Sequence, residues 1–481
     1  MVHKASSTPP HSSPLEFGKD LAAHPTDIPG LVWWDLPVHG DSRGWFKENW
    51  QREKMVALGL PDFHPVQNNI SFNDAVGTTR GIHAEPWDKY VSVATGRVFG
   101  AWVDLREGDT FGRTVTLELD PTKAIFVPRG VANSFQVLEP DTAYTYLVND
   151  HWSADAEYAF LNLADETTAI QWPIPLDKAV ISDKDKAHPR LNEITPIAAT
   201  RVLITGAYGQ LGRALQVEFP DAVGVDRDEL DITDPDSLAR YPWRNFDTII
   251  NAAAYTAVDQ AETPEGRHDA WKVNASAVQN LAHIARQHHL TLVHVSSDYV
   301  FDGTAPIHTE DEPFAPLNVY GQSKAAGDIA AALAPQHYIT RTTWVVGEGK
   351  NFIETMKNLA EKGVKPTVVG DQIGRLTFTE DLARAIHHLL AVKAPYGTYN
   401  VTNEGAPTSW ADIAKKTYEL TGHNPKDVTA VSTEEYYADK IRDGVVVAER
   451  PLQSVLDLGK LKATGFIPRD VHDVLRRYLE K

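Results

Sequence analysis

Two short constellations in this chain could do chemistry. In the first, Tyr320 precedes Lys324 by four residues and follows Ser296 and Ser297. On a helix that spacing puts phenol and ammonium on one face, where the cation can lower a phenol pKa from about 10 and make it a usable proton donor. Spacing alone is a weak guide, since Tyr436 and Lys440 share it. In the second, Arg80-Gly-Ile-His83 stands between β-type segments, with Lys89 six residues later. A histidine so placed can be a base, a satisfied core residue or a metal ligand. His83-Ala-Glu85 could offer alternate ligands along a strand, but zinc or iron needs three or four, and no second histidine of suitable spacing follows. No metal is expected there.

The elements around Tyr320 decide its reading. RVLITGAYGQLGRALQ sets Gly206, Gly209 and Gly212 directly after a β-branched strand and at the start of a helix. Glycines there allow a tight turn and close approach of backbone N–H groups to a pyrophosphate at the positive end of the helix dipole. Asp226 follows a second short strand and can accept from an adenosine ribose, while Arg227 beside it could face a 2′-phosphate, so NADH and NADPH both stay open. A strand ending in Ser297 delivers its hydroxyl to the same sheet edge. Tyr320 then protonates a carbonyl oxygen as hydride arrives, Lys324 holds the nicotinamide ribose, and Ser297 hydrogen-bonds the oxygen.

Texture divides the chain into regions. Residues 1–25, rich in Ser, Pro and His, read as a flexible tail. Residues 26–185 carry short β-type runs such as YVSVATG, RVFGAWVDL and AYTYLVN, the pattern of an all-β barrel or sandwich. Residues 186–199 are polar and proline-marked, as a linker is. In 200–481 apolar strands alternate with helical stretches such as SAVQNLAHIARQHH, predicting α/β architecture around a parallel sheet. A formal charge of −19 argues against a nucleic-acid or membrane-surface partner. Zero cysteines exclude disulfides and thiolate catalysis and fit a cytoplasmic location. No apolar run approaches the roughly 18 residues of a membrane span.

Two resemblances then become specific. GAYGQLG, NAAAYTAVDQAE (251–262), VN (273–274), SSDYVFDG (296–303), PLNVYGQSK (316–324) and RTTWVVG (341–347), in that order, resemble dTDP-4-dehydrorhamnose reductase, an extended short-chain dehydrogenase, over nearly all of 200–481. The resemblance implies a Rossmann-type doubly wound sheet with a small substrate-binding part. It implies cofactor contacts from Tyr208, Gln210, Leu211, Asp231, Ile232, Ala252, Ala253 and Tyr255, and substrate contacts from Thr256, Val258 and Trp344. Ser297 replaces a usual threonine, and Gly374-Arg-Leu-Thr377 replaces a usual Gly-x-Pro-Thr. Magnesium, a feature of some reductases, has no recognisable ligand set here.

Upstream, Asp41-Ser-Arg-Gly-Trp-Phe-Lys-Glu48, Gln67-Asn-Asn-Ile-Ser71, Arg80-Gly-Ile-His83, Lys89, Phe126-Val-Pro-Arg-Gly130, Tyr144-Thr-Tyr146 and Asp165-Glu166 through Trp172-Pro173 resemble dTDP-4-dehydrorhamnose 3,5-epimerase, a cupin-type barrel without catalytic metal. That likeness spans about 30–190. It implies His83 as base, Asp165 as the carboxylate orienting it, Tyr146 as acid on the opposite face of the sugar, and Lys89 as stabiliser of the enolate oxygen. Arg43, Glu48, Gln67, Asn69 and Arg80 are implied to bind the nucleotide diphosphate, and the barrel to form a homodimer. Ala132-Asn-Ser-Phe135 and Trp152 depart from the family's usual residues.

Together these imply a bifunctional chain that epimerises dTDP-4-dehydro-6-deoxy-D-glucose at C3 and C5 and then reduces its C4 ketone with NAD(P)H, giving dTDP-L-rhamnose. Two rival readings keep only the reductase, with an inactive barrel, or make the chain a nucleotide-sensing regulatory subunit. Thymidine against uridine stays open.

Overall fold

The structure is a computed structural model, and it describes residues 15–151, 158–197 and 201–480. It divides into two compact units, 1–199 and 200–481.

In the N-terminal unit two antiparallel sheets enclose a core. One runs in the order Ala22–Pro25, Val32–Asp35, Lys123–Val127, Lys89–Thr95, Thr142–Val148, Gln67–Asn73; the other runs Ala159–Phe160, Thr79–Ala84, Val131–Val137, Val98–Asp104, Thr114–Leu119. Alternation along each strand explains the layering, because successive side chains point to opposite faces. Val91 and Val93 enter the core between the sheets with Trp102, Ile125, Phe135 and Tyr144. Tyr90, from the same strand, turns outward under Met55, Leu60 and Phe63, which cover the first sheet. The strand is therefore buried on both faces.

The C-terminal unit is built on a parallel sheet in the order Val223–Val225, Arg201–Thr205, Phe246–Asn251, Thr291–Ser297, His337–Thr342, Gly397–Asn400. Neighbouring residues go to opposite layers: Leu203, Ile249 and Leu292 pack with the helix Ala277–Gln287, while Ile204, Ile250 and Val293 pack with the helices Gln210–Glu218 and Thr379–Ala391. The first strand lies between the second and third, so strand order reverses beside it and opens a crevice at the strands' C-terminal ends. A separate apolar cluster around Met356, Val368, Ala411 and Tyr418 forms the smaller part.

Two expected boundaries move. The tail ends earlier than residue 25, because Ala22–Pro25 pairs with Val32–Asp35 and Leu21 and Ala23 pack on the outer apolar cluster. The segment expected to link the units folds onto the barrel through residue 197. Asp183–Lys186 is a helical turn capped by Ser182, Leu191 is buried in the barrel's lower cluster, and Ile197 N–H donates to Leu105 O. Its few apolar residues sit where they reach that cluster, which overrides the segment's polar composition.

Candidate active sites

The barrel's cavity, about 560 Å³, lies between the sheets. His83 and Arg80 enter it from Thr79–Ala84 of one sheet, and Lys89, Tyr144 and Tyr146 from the other. Gly81 makes room between the first two: a Cβ there would stand 2.8 Å from Asn133 O and from Ser134 Cβ, and its φ is +117°. Tyr144 stacks on Phe135 at 4.1 Å and donates to Asn133 Oδ1, so Asn133 of the divergent Ala132-Asn-Ser-Phe135 segment lines the cavity as an acceptor.

The carboxylate beside His83 is Asp185, not Asp165. Asp185 Oδ1 lies 3.2 Å from His83 Nε2, held by the Ser182-capped turn. Asp165 instead accepts from the N–H groups of Thr167, Thr168 and Leu191 and braces a turn. Burial works to raise its pKa, but those hydrogen bonds outweigh it and hold the carboxyl below its ordinary value. Burial lowers the His83 pKa, against the pull of Asp185, which favours the neutral imidazole that a base requires. Lys89, fully buried and ion-paired to Glu85, is brought down to about 7 by desolvation. Its ammonium lies 5.5 Å from the Tyr146 ring centroid, and burial raises the Tyr146 phenol pKa.

Of the expected diphosphate ligands only Arg80 lines the cavity, with its Nε donating to Asn73. Arg43 stands on the exposed hairpin Val38–Asp41/Gly44–Lys47 and pairs with Asp41; Glu48 pairs with Lys54. Gln67 donates to Asn69 on the edge strand, and Asn69 pairs in register with Tyr146 without reaching the cavity. None of these four lines that cavity. Trp152 lies outside the described residues.

In the α/β unit the glycine turn is a built cradle. Gly206 has φ +70°, and a Cβ on it would stand 2.7 Å from Ala253 N; one on Gly212 would stand 2.2 Å from Gly206 O. No side chain caps the helix Gln210–Glu218 at Gly209, so its first N–H groups lie open at the crevice. These residues fit a dinucleotide pyrophosphate. Asp226 accepts from Arg227 N–H, Arg227 is exposed, and the Tyr208 hydroxyl donates to Glu229. Asp231 is held by Thr233 and Ile232 is buried. Ala252 N–H donates to Thr205 O, and Tyr255 exchanges two hydrogen bonds with Asn274. Thr256 is exposed and Val258 half-buried.

Tyr320 and Lys324 sit on the helix Val319–Ala331. Asn318 caps that helix, and Glu262 accepts from Val319 N–H. Gly321 and Gly327 let it lie close, since a Cβ on either would stand 2.2 Å from the carbonyl of Tyr299 or Asn274. Ser297 donates to Asp298 Oδ1 at 3.0 Å. Lys324 does not lower the phenol pKa as its spacing suggests. Its ammonium donates to Val295 O at 2.6 Å, while burial first and the Asp298 carboxylate second push Tyr320 up to about 12, with the Ser297 hydroxyl working the other way. Burial brings Lys324 down to about 8 and Asp298 up to about 6. Behind Lys324, buried Asp328 accepts from Arg341 at 2.9 Å.

Trp344 adopts φ +43° and stacks on Trp410 at 4.0 Å, over Gly374, whose absent Cβ leaves room for it. The neighbouring Arg375 donates to the carbonyls of Gly405 and Leu456, so the divergent segment braces loops. Tyr436 and Lys440, the look-alike pair, lie on the helix Thr433–Arg442 with Lys440 over the Tyr436 ring, and Tyr436 is exposed. A second cavity, about 940 Å³, touches Gln210 and Gly347 but none of Ser297, Tyr320 or Lys324.

Sequence reasoning missed Asp185, Asn274 and Asp298. Asn274 and Asp298 sit inside motifs already singled out. No local pattern marks Asp185, which is 102 residues from His83.

The family model for the RmlD substrate binding domain matches residues 200–481, and that for dTDP-4-dehydrorhamnose 3,5-epimerase matches 25–193. Residues of this chain are 51% identical over 189 positions to the protein RmlC homolog of Streptococcus pyogenes serotype M6, covering 38% of this chain and 95% of that one. They are 38% identical over 300 positions to a dTDP-4-dehydrorhamnose reductase of Aggregatibacter actinomycetemcomitans, covering 57% of this chain and 97% of that one. The structure of a dTDP-4-dehydrorhamnose reductase from Bacillus anthracis in complex with NADP superposes with a TM-score of 0.53 at 36% identity, covering 58% of this chain and 98% of that one.

Proposed function

The chain belongs to the RmlD substrate binding domain family through residues 200–481 and to the dTDP-4-dehydrorhamnose 3,5-epimerase family through 25–193, and from that premise we propose how one polypeptide carries out two consecutive steps. It is an isomerase and an oxidoreductase that makes dTDP-L-rhamnose. The carrying observation is the pairing itself: the first unit's family yields the ketone that the second unit's family reduces.

In the barrel, His83 takes a proton α to the C4 ketone, with Asp185 holding the ring through Nε2. Lys89 meets the enolate oxygen, without which an imidazole is too weak a base. Tyr146, from the facing sheet, returns a proton to the opposite side of the ring, as inversion demands. In the α/β unit Gly206, Gly209, Gly212 and the open end of the helix Gln210–Glu218 hold the dinucleotide, which supplies hydride when bound. Tyr320 gives its proton to the C4 oxygen, Ser297 hydrogen-bonds that oxygen, and Lys324 holds the nicotinamide ribose. Trp344 packs against the sugar nucleotide. We read Arg227, exposed beside Asp226, as the seat of a 2′-phosphate and NADPH as the preferred donor. Among the described residues no group of three His, Asp or Glu side chains converges in this unit, so no magnesium ligands are assigned.

The barrel's edge strand exposes Ile70 and Phe72, and the hairpin exposes Phe46. We read both as the face of a homodimer, which also gives Arg43 and Glu48 a sugar nucleotide to meet in a second copy. Among the described residues no helix is long and apolar enough to cross a membrane; we assign the enzyme to the cytoplasm.

The test supplies the purified chain with dTDP-4-dehydro-6-deoxy-D-glucose and NADPH in D2O. Cofactor oxidation with deuterium at C3 and C5 of the product is expected. Oxidation without deuterium would reduce the chain to a reductase.

A further inference from the structure

His83 and Asp185 have a third neighbour that the proposed reaction does not use. Asp185 Oδ1 lies 3.2 Å from His83 Nε2 and 3.8 Å from His188 Nε2, and one donor atom from each of the three falls within 4.8 Å of the other two. His188 belongs to the segment expected to be a linker. Its ring stacks on Phe160 at 4.9 Å and meets the His83 ring edge-on at 5.2 Å. Its side chain is only 6% exposed and lies against the backbone of Leu161 and Gly81. His188 does not line the substrate cavity, although His83 and Asp185 do.

Two imidazoles and one carboxylate are a donor set suited to zinc and related divalent ions. Bond lengths of about 2.0–2.1 Å around a tetrahedral ion set neighbouring donors roughly 3.3–3.5 Å apart. The 3.2 and 3.8 Å from Asp185 Oδ1 lie on either side of that spacing, and the two imidazole donors lie within 4.8 Å of each other. The cations acting on these imidazoles are otherwise engaged, Lys89 with Glu85 and Lys184 over the Phe160 ring.

We propose that His83, Asp185 and His188 form a three-ligand site for a divalent transition ion such as zinc, whose occupancy switches epimerisation off. The switch rests on the reading of His83 as base. In the free enzyme Nε2–H donates to Asp185 and Nδ1 carries the lone pair that takes the substrate proton. An ion bound at Nε2 places the imidazole proton on Nδ1, which leaves no lone pair for the substrate. No net proton leaves the ring, and no redox step is involved.

Cobalt(II) titrated into the full chain reports the site, because a tetrahedral nitrogen and oxygen set gives a visible absorption band. The band should saturate at one equivalent and be absent from His188→Gln. Solvent deuterium entry into the sugar should fall at least about tenfold with one equivalent of zinc, recover with chelator, and be insensitive to zinc in His188→Gln. Should that variant fold poorly, His188→Phe keeps the stack on Phe160 and serves instead. An identical band in parent and variant would place the ion at other histidines and overturn the site. Undiminished deuterium entry with one equivalent bound would overturn the switch. Absence of deuterium entry in the metal-free parent would instead overturn the assignment of His83, with the band still deciding whether the ion binds.

Discussion

The two units solve the same problem, delivering a proton to a defined face of a sugar, by opposite geometries. In the barrel, the proposed base His83 and acid Tyr146 come from different sheets and line one cavity, and the carboxylate beside His83 arrives from a turn beyond the last strand. In the α/β unit, hydroxyl, phenol and ammonium come from one strand end and one helix, at the edge where strand order reverses. A pocket between sheets lets chemistry act on two faces of a ring. A sheet edge with a bound dinucleotide acts on one. Inversion needs the first arrangement, and reduction needs only the second.

The sharpest way to break this comparison is to remove one proton-transfer group at a time. His83→Ala should cut deuterium entry by about 10²–10⁴-fold and leave reduction of already epimerised ketone unchanged. Tyr320→Phe should do the reverse by a similar factor, measured as NADPH oxidation; loss of both activities in either variant would mean the units do not act independently. Next in size, Gly206→Ala should weaken NADPH binding by at least about tenfold, read by fluorescence titration, because the new Cβ meets the backbone of Ala253. Deuterium entry should not change.

Two aspartates separate a partner from a brace. Asp185→Asn should slow epimerisation by about tenfold or more, because an amide no longer holds the imidazole tautomer. Asp165→Asn should spare the rate and cost about 1–3 kcal/mol in urea unfolding, since it removes charge-assisted hydrogen bonds to backbone. The smallest effect concerns stability. Lys89 at about 7 and Lys324 at about 8 both lie below their unfolded value of 10.5, so the unfolded chain binds more protons between those pH values and stability rises with pH there. Lys324→Met should melt higher than the parent at pH 6.5, with the gap narrowing by pH 9.5.

What could be read from sequence followed the same division. The proposed reductase set could be picked out in the sequence because its glycine turn, Ser297 and the Tyr320–Lys324 pair are local patterns. The phenol's environment was not, since Lys324 turns to Val295 O and burial of Tyr320 depends on helix packing that no spacing encodes. In the barrel, alternation marked the strands and His83, but its partner depends on which distant turn folds back. Asp165 followed from the resemblance and Asp185 from the fold. The polar run after residue 182 concealed two apolar anchors, Leu191 and Ile197, whose value appears only against the cluster they fill.

That folded-back run has a practical meaning for anyone dividing the chain. A cut at residue 186, where composition suggests a hinge, would strip away the strap that seats the turn carrying Asp185. The released barrel would keep its strands and its histidine yet hold Asp185 on a frayed end. Severing after Ile197 would keep Leu191 and Ile197 on the barrel and that turn seated.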